Sequence, residues 1–202
     1  MRPVLTACLL SAVLLDYSAT AASAQAPPAE PVKATDAQVD EKLQETEPLT
    51  LAEGELKVDA PKAWKKVKPR NRIIEAEFTV PADADPAGRL TIMASGGSID
   101  ANLARWVGQF SKSGDESAEP KIEKEEVNGM KLTIFDATGT YLDSPRGPFG
   151  PKVEKAGYRM IAGILQTGGV GNYFFKLVGP EEIVEENAEA FRAMVSSAEK
   201  SR

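Results

Sequence analysis

Apolar and polar residues alternate along much of the chain, with the period of two that is typical of strands buried on one face. The pattern is clearest in Arg72–Val80, where Ile74, Ala76, Phe78 and Val80 fall on one side. The same criterion predicts strands over residues 49–58 (with a break at 53–55), 72–80, 89–94, 121–127, 130–141, 158–166 and 173–178. Asn128-Gly129 predicts a tight hairpin turn between two of these strands.

Two segments have the period of an amphipathic helix instead. Ser98 is a typical N-cap, and Ile99, Leu103, Trp106, Val107 and Phe110 recur after it at helical spacing. The second helix begins after Gly179-Pro180 and finishes near Ser197. The apolar face of this second helix comprises Val184, Phe191, Met194, Val195 and Ala198. Hairpins and two such helices predict an α+β fold, in which a mostly antiparallel sheet is covered by two main amphipathic helices.

The N-terminus has the pattern of an export signal. Arg2 provides a positive charge, Val4–Leu15 is mostly apolar, and Ala22-Ser23-Ala24 fits a signal-peptidase site. Residues 1–24 are therefore predicted to be a signal peptide, which leaves Gln25 as the mature N-terminus. The expected location is periplasmic or secreted.

Two further boundaries follow from composition. Residues 25–48 are rich in Ala, Pro, Glu and Gln and predict a flexible linker or a frayed helix. Residues 49–199 are long enough for a single α+β domain with its own core. No second stretch of this chain is apolar enough to predict a transmembrane segment in the mature protein.

Cys8 leaves an alternative for the N-terminus open. Leu5-Thr6-Ala7-Cys8 resembles a lipobox, in which the cysteine would become lipidated. Against this interpretation, only seven residues precede Cys8 and the apolar segment continues beyond it. Free Gln25 and an anchored Cys8 are therefore the two alternatives.

The composition limits the catalytic and metal-binding chemistry that is open to this protein. The chain contains no histidine, and its one cysteine would be removed with the signal peptide. Catalysis by Ser-His-Asp or Cys-His groups is excluded, and neither a metal site nor a cofactor is predicted. Carboxylate, lysine, tyrosine or Ser–Lys chemistry is still possible. The net charge of -6 argues against a nucleic-acid partner.

A set of aromatic and glycine landmarks resembles a known fold family. In chain order these are Pro61-x-x-Trp64, Phe78-Thr79-Val80-Pro81, Trp106, Gly139-Thr140-Tyr141, Gly157-Tyr158-Arg159, Tyr173-Phe174-Phe175-Lys176, Gly179-Pro180 and Phe191. Their order over roughly residues 50–198 is similar to the PsbP-like α/β/α sandwich, which extrinsic photosystem II proteins and a Ran-binding protein share. The chain looks closer still to uncharacterised exported bacterial proteins of this type. The resemblance implies a small binding or assembly module and supplies no catalytic motif.

Three groups of residues are candidate binding surfaces. Asn102, Arg105 and Gln109 are spaced to share one face of the first helix beside Trp106, and could bind a carboxylate, a glycan or a partner backbone. The alternative is that they hydrogen-bond neighbouring loops, and Trp106 is expected in the core. The second group lies in the Pro/Gly-rich segment at residues 144–156, a long loop that could contact a partner through Arg146, Phe149 and Lys152 or could be a plain linker.

The third group is a basic cluster, formed by Lys62, Lys65, Lys66, Lys68, Arg70 and Arg72. It could bind an anionic membrane surface, a polysaccharide or an acidic partner. Alternatively, the lysines keep an edge strand soluble.

These observations favour an exported, non-enzymatic binding or assembly module of the cell envelope, with a protein or another envelope component as its partner. The alternative is a hydrolase or lyase that uses carboxylate, lysine or tyrosine chemistry. A concave pocket in which ionisable residues with shifted pKa values converge would favour the alternative.

Overall fold

The computed structural model describes residues 43–111, 119–145 and 150–201. The strands are β1 (Thr46–Leu51), β2 (Leu56–Pro61), β3 (Lys65–Val67), β4 (Ala76–Val80), β5 (Gly88–Ser95), β6 (Lys121–Val127), β7 (Met130–Asp143), β8 (Val153–Gln166), β9 (Asn172–Pro180) and β10 (Glu199–Lys200). The helices are α1 (Ile99–Val107) and α2 (Glu181–Ser196), and a short 3-10 turn covers Ala52–Gly54. The predicted α+β class is confirmed.

Two antiparallel sheets organise these strands. The larger has the order β3-β4-β5-β9-β8-β7-β6, and the smaller has the order β1-β2-β10. Asn128 and Gly129 both have positive φ (48° and 75°) and join β6 to β7, as the predicted hairpin requires.

One face of the larger sheet packs against α2 and the smaller sheet. The alternation in β9 directs Tyr173, Phe175 and Leu177 to this side, and Phe191 of α2 is fully buried there. Burial of these large apolar side chains supplies most of the driving force for folding. Gly179 lets β9 approach β5 closely, because a Cβ at this position would lie 2.7 Å from the Cα of Gly88.

The opposite face is covered by α1 over part of its length only. Trp106 is buried, as expected, and packs edge-on against Phe135 and Phe174, with ring centroids 5.6 and 5.9 Å apart. Helix α1 has 9 residues and is about 14 Å long. Strands β7 and β8 each have 14 residues and extend about 46 Å, so within the described part of the chain the helix leaves much of this face uncovered.

Several boundaries differ from the predictions. The strand predicted to end at residue 58 continues to Pro61, and residues 59–61 of β2 pair with residues 46–48 of β1. Strand β1 thus begins at Thr46, inside the segment predicted as linker, and β8 begins at Val153, inside the predicted loop. Strands β3 and β10 were not predicted because each is too short to show a period. Within the described ranges, no helix combines the length and the apolar character needed to cross a membrane.

Candidate functional site

The three residues predicted to form a polar face of α1 have different environments in the structure. Asn102 is 2% exposed, and its amide nitrogen donates hydrogen bonds to the carbonyl oxygens of Gly96 and Ser98, at 3.3 and 2.9 Å. Its side-chain oxygen accepts a hydrogen bond from Arg105. Asn102 therefore hydrogen-bonds the segment that leads into α1, as the alternative interpretation expected. Arg105, in contrast, is exposed.

Gln109 lies beyond the end of α1, because the helix stops at Val107 and Gly108 caps it. The spacing predicted that Gln109 would share a helical face with Asn102 and Arg105, but Gln109 lies outside the helix. Its side-chain oxygen instead accepts a hydrogen bond from Nζ of Lys176, at 2.5 Å. Gln109 therefore belongs with a group of residues on the open part of the large sheet.

The predicted binding loop is only partly described. Arg146 and Phe149 lie outside the described residues. Lys152 is exposed and directly precedes β8, whose first residue, Val153, pairs with Asp143 at the end of β7. The described ends of the loop therefore meet where the pairing of β7 with β8 ends.

A polar cleft of about 150 Å³ occupies this open face. Its walls come from strands β5, β7, β8 and β9 and from the segments that precede β4 and β5. Its lining comprises Arg70, Ala87, Arg89, Thr91, Tyr141, Asp143, Lys155, Tyr158, Lys176 and Val178. We call this group the sheet cleft.

Two tyrosines form a flat wall of the sheet cleft. The rings of Tyr141 and Tyr158 are stacked, with centroids 6.4 Å apart and planes inclined by 10°. Lys155 lies over the Tyr158 ring, 5.2 Å from its centroid, and forms an ion pair of 2.9 Å with Asp143. The hydrogen bond to Asp143 raises the pKa of Lys155, so that this amine stays protonated near neutral pH.

Lys176 has a different environment in the same cleft. Its Nζ lies 3.4 Å from the hydroxyl of Tyr141 and 5.5 Å from the centroid of that ring. Burial lowers the pKa of Lys176 to about 7, together with the positive charges of Arg89 and Arg105 and against the opposing charge of Asp143. The amine of Lys176 therefore changes its charge near neutral pH.

Tyr141 keeps its proton over the same range. Burial, reinforced by the negative charge of Asp143, raises the pKa of Tyr141 to about 12. Its hydroxyl oxygen accepts a hydrogen bond from Nζ of Lys176, and its proton is available to a bound molecule.

Glu77 anchors the basic side of the cleft. It is buried, and its carboxylate accepts hydrogen bonds from the Arg89 side chain at 2.7 Å and from the Arg70 backbone at 3.0 Å. Burial raises the pKa of Glu77, but these hydrogen bonds and the charges of both arginines outweigh it and leave the pKa below its usual value. Glu77 thus stays ionised and fixes the position of the Arg89 guanidinium.

The lining of the sheet cleft has an excess of positive charge. Among the described residues, Arg70, Arg89, Lys155 and Lys176 line the cleft together with Asp143. Glu77 forms ion pairs with Arg89 at 2.7 Å and Arg70 at 3.2 Å, so four basic side chains are matched by two carboxylates. Such a concave concentration of cations attracts anions more strongly than the same charges spread over a convex surface.

The basic cluster lies along the edge of the sheet, since β3 is the outermost strand beside β4. Lys65 and Lys66 are exposed on this edge, where lysine discourages pairing with another chain. Arg70 connects the cluster to the sheet cleft.

A larger cavity of about 480 Å³ lies between α2 and the β1–β2 hairpin. Ala190 and Met194 line its apolar side, and Asp59, Glu186 and Glu189 are its charged lining residues. None of these three carboxylates is buried. The cavity therefore lacks the converging ionisable groups that distinguish the sheet cleft.

In the sequence, Tyr141, Tyr158 and Lys176 are landmarks of the fold, and nothing in their spacing predicts that they form a site. The available signal was Lys176, the one charged residue in the otherwise apolar run Tyr173–Val178. A charged side chain at such a position is rarely buried without a specific environment.

Comparisons with known proteins address the fold. No protein-family model and no curated protein matches the sequence. The solution structure of cyanobacterial PsbP (CyanoP) from Synechocystis aligns with a TM-score of 0.51 and 11% identity, covering 77% of this chain and 92% of that chain. The Ran-binding protein Mog1p of Saccharomyces cerevisiae gives a TM-score of 0.47 and 7% identity, covering 77% of this chain and 95% of its own.

LpqN of Mycobacterium tuberculosis, described as involved in cell envelope biogenesis, gives a TM-score of 0.46 and 8% identity, covering 78% of this chain and 91% of its own. At these identities the alignments concern the fold alone. The chain has the PsbP-like α+β fold.

Proposed function

We propose that this protein is an exported, non-enzymatic binding module of the cell envelope, which recognises a carboxylate group of its partner in the sheet cleft. The observation that carries the proposal is the convergence of Arg70, Arg89, Lys155 and Lys176 on one cleft, where Asp143 and Glu77 are the carboxylates paired with them among the described residues. A bound carboxylate would offset the mutual repulsion of these cations and would strengthen the protonation of Lys176.

The electrostatics favour an anionic ligand over a neutral one. Lys176 lacks an ion-pair partner within 4.0 Å among the described residues, whereas Lys155 is paired with Asp143. A guanidinium such as Arg89 can bind Glu77 through one edge and retain donors for a second carboxylate. The Tyr141–Tyr158 wall would exclude water from one side of the bound group and strengthen these interactions.

Residues at the mouth of the cleft would extend the recognition surface. Gln109 contacts Lys176, and Lys152 lies next to the β7–β8 pairing that carries Asp143 and Lys155. Under this proposal Arg105, Arg146, Phe149 and Lys152 contact parts of the partner beyond its carboxylate, while Asn102 has a structural role.

Export rests on the N-terminal sequence pattern. The mature protein would begin at Gln25, after removal of a signal peptide that ends at Ala24. Mass spectrometry of the protein recovered from the envelope fraction tests this part separately. An acylated Cys8 would replace the free N-terminus with a lipid anchor.

Calorimetric titration with succinate, and with neutral succinamide as the matched ligand, tests recognition of a carboxylate. We expect binding of succinate alone, with an affinity that rises as the pH falls from 8 to 6 because Lys176 becomes protonated. Lys176→Met should weaken succinate binding by at least tenfold, about 1.4 kcal/mol. Lys124→Met, on the exposed edge strand β6, is the control and should leave the affinity unchanged.

Two results would contradict the proposal. Equal affinity for succinate and succinamide would show that charge does not determine binding. Equal weakening by Lys124→Met and Lys176→Met would place the effect in the overall charge of the protein.

A hydrolase or lyase is the second candidate. It is favoured by one specific observation, since Lys176 and Tyr141, with pKa values shifted in opposite directions, meet in the same cleft. Conversion of a carbonyl or ester substrate that stops with Lys176→Arg, while binding of the substrate persists, would support the enzyme in place of the binding module.

A further inference from the structure

We infer that the amine of Lys176 captures a small oxo-carboxylate, an aldehyde or ketone that bears a carboxylate group, as a reversible imine. This inference rests on the proposed function, because it assigns the carboxylate of the ligand to the same sheet cleft. It adds a carbonyl group to the ligand and a covalent bond to the mode of binding.

The position of Lys176 supports the inference. Its Nζ contacts two uncharged groups, the side-chain oxygen of Gln109 at 2.5 Å and the hydroxyl of Tyr141 at 3.4 Å. Within the described residues, no carboxylate lies within 4.0 Å of this nitrogen to hold it as an ammonium ion. A neutral amine can donate to Gln109 and still present its lone pair to the cleft.

The protonation state of the amine agrees with this geometry. Burial and the charges of Arg89 and Arg105 lower the pKa of Lys176 to about 7. Roughly half of the molecules therefore carry a neutral amine at neutral pH, compared with a fraction of about 1 in 3,000 for a lysine of ordinary pKa. Lysines desolvated beside other cations are the ones that act as nucleophiles toward carbonyl groups.

The dimensions of the cleft restrict what enters it to a group of small size. A volume of about 150 Å³ corresponds to about five water molecules, which is the size class of glyoxylate or pyruvate. Arg70, Arg89 and the Lys155 ammonium are placed to hold the carboxylate, and the Tyr141 ring forms a wall beside the carbonyl.

The reaction balances without an oxidant or a reductant. The Lys176 lone pair attacks the carbonyl carbon, and the carbonyl oxygen takes up a proton from the Tyr141 hydroxyl. The nitrogen, now positively charged, returns a proton to the Tyr141 oxygen. The resulting carbinolamine loses its hydroxyl group and a proton as water, and a carbon–nitrogen double bond forms. One amine and one carbonyl compound thus give one imine and one water, and hydrolysis regenerates both.

Reductive trapping tests the inference. The purified protein would be incubated with glyoxylate and cyanoborohydride at pH 7, and the modified lysines would be located by peptide mass spectrometry. We expect Lys176 to be modified at least tenfold faster than Lys155, which lies in the same cleft but stays an ammonium ion beside Asp143. Succinate should slow the modification of Lys176 by competing for the carboxylate position.

Lys176→Arg separates the nucleophile from the charge. This variant keeps a cation in the cleft but cannot form an imine, so it should still bind succinate and lose the adduct at this position. Its succinate titration also shows that the variant is folded. In the Lys124→Met variant, Lys176 should be modified at the same rate as in the wild-type protein.

The outcomes distinguish the inference from the proposed function. Modification of Lys176 no faster than that of exposed lysines would overturn the inference. If succinate binds and no adduct forms at Lys176, the inference fails and the proposed function stands. If succinate does not bind and no adduct forms, both fail.

Discussion

Replacing Lys176 by methionine should change the pH dependence of stability in a way that follows from the cleft. The pKa of Lys176 is 10.5 in the unfolded chain and about 7 in the folded protein. The unfolded chain therefore binds the proton more strongly between these two values. Stability attributable to this residue is fully present above pH 10.5 and is lost as the pH falls toward 7.

The magnitude follows from the width of that interval. Between the two pKa values the free energy of unfolding should rise by about 1.4 kcal/mol for each pH unit. From pH 6 to pH 9, the wild-type protein should gain about 2 to 3 kcal/mol relative to Lys176→Met, since the rise begins only near pH 7. Other titrating groups are common to both proteins and cancel in this difference.

Urea denaturation of both proteins at pH 6, 7, 8 and 9, followed by tryptophan fluorescence, measures the difference directly. Lys124→Met serves as the matched control, because it removes the charge of an exposed lysine that does not line the cleft. A constant difference between wild type and Lys176→Met would refute the reasoning, since it would mean that Lys176 titrates alike in the folded and unfolded states.

Three further substitutions test the packing that positions the cleft, each by chemical denaturation. Trp106→Ala should lose about 3–5 kcal/mol of stability, because it empties the space between α1 and the sheet. Gly179→Ala should lose about 1–3 kcal/mol, because its Cβ would lie 2.7 Å from the Cα of Gly88, whereas Gly169→Ala, with open space around it, should be near neutral. Asn187→Ala removes the acceptor of the buried indole N–H of Trp64 and should lose about 1–3 kcal/mol of stability. A loss no greater than that of an exposed substitution would contradict this hydrogen bond.

The elements with strong local signals could be predicted from the sequence. Asn128-Gly129 specified its hairpin because few other residue pairs accept positive φ at both positions. Ser98 specified the start of α1 and indeed accepts a hydrogen bond from the Ala101 backbone. Strand β10 could not be predicted, because two residues carry no period and their pairing with β2 joins positions far apart in the chain.

The candidate site was harder to predict because it is assembled from distant segments. Lys176, Tyr141 and Arg89 come from three strands, and their proximity depends on the order of those strands in the sheet. Helical spacing also placed Gln109 on the face of Asn102, since the sequence did not show that α1 would end at Val107. Residue spacing describes neighbours within one element, whereas this site lies between elements.

The central claim is that the sheet cleft binds a carboxylate, and an NMR titration of the ¹⁵N-labelled protein with succinate tests it most directly. The account predicts saturable shifts confined to amides of β5, β7, β8 and β9 around Arg89, Tyr141, Tyr158 and Lys176, with none on addition of succinamide. Shifts confined to the lysines of edge strand β3, or the absence of any saturable shift, would contradict it.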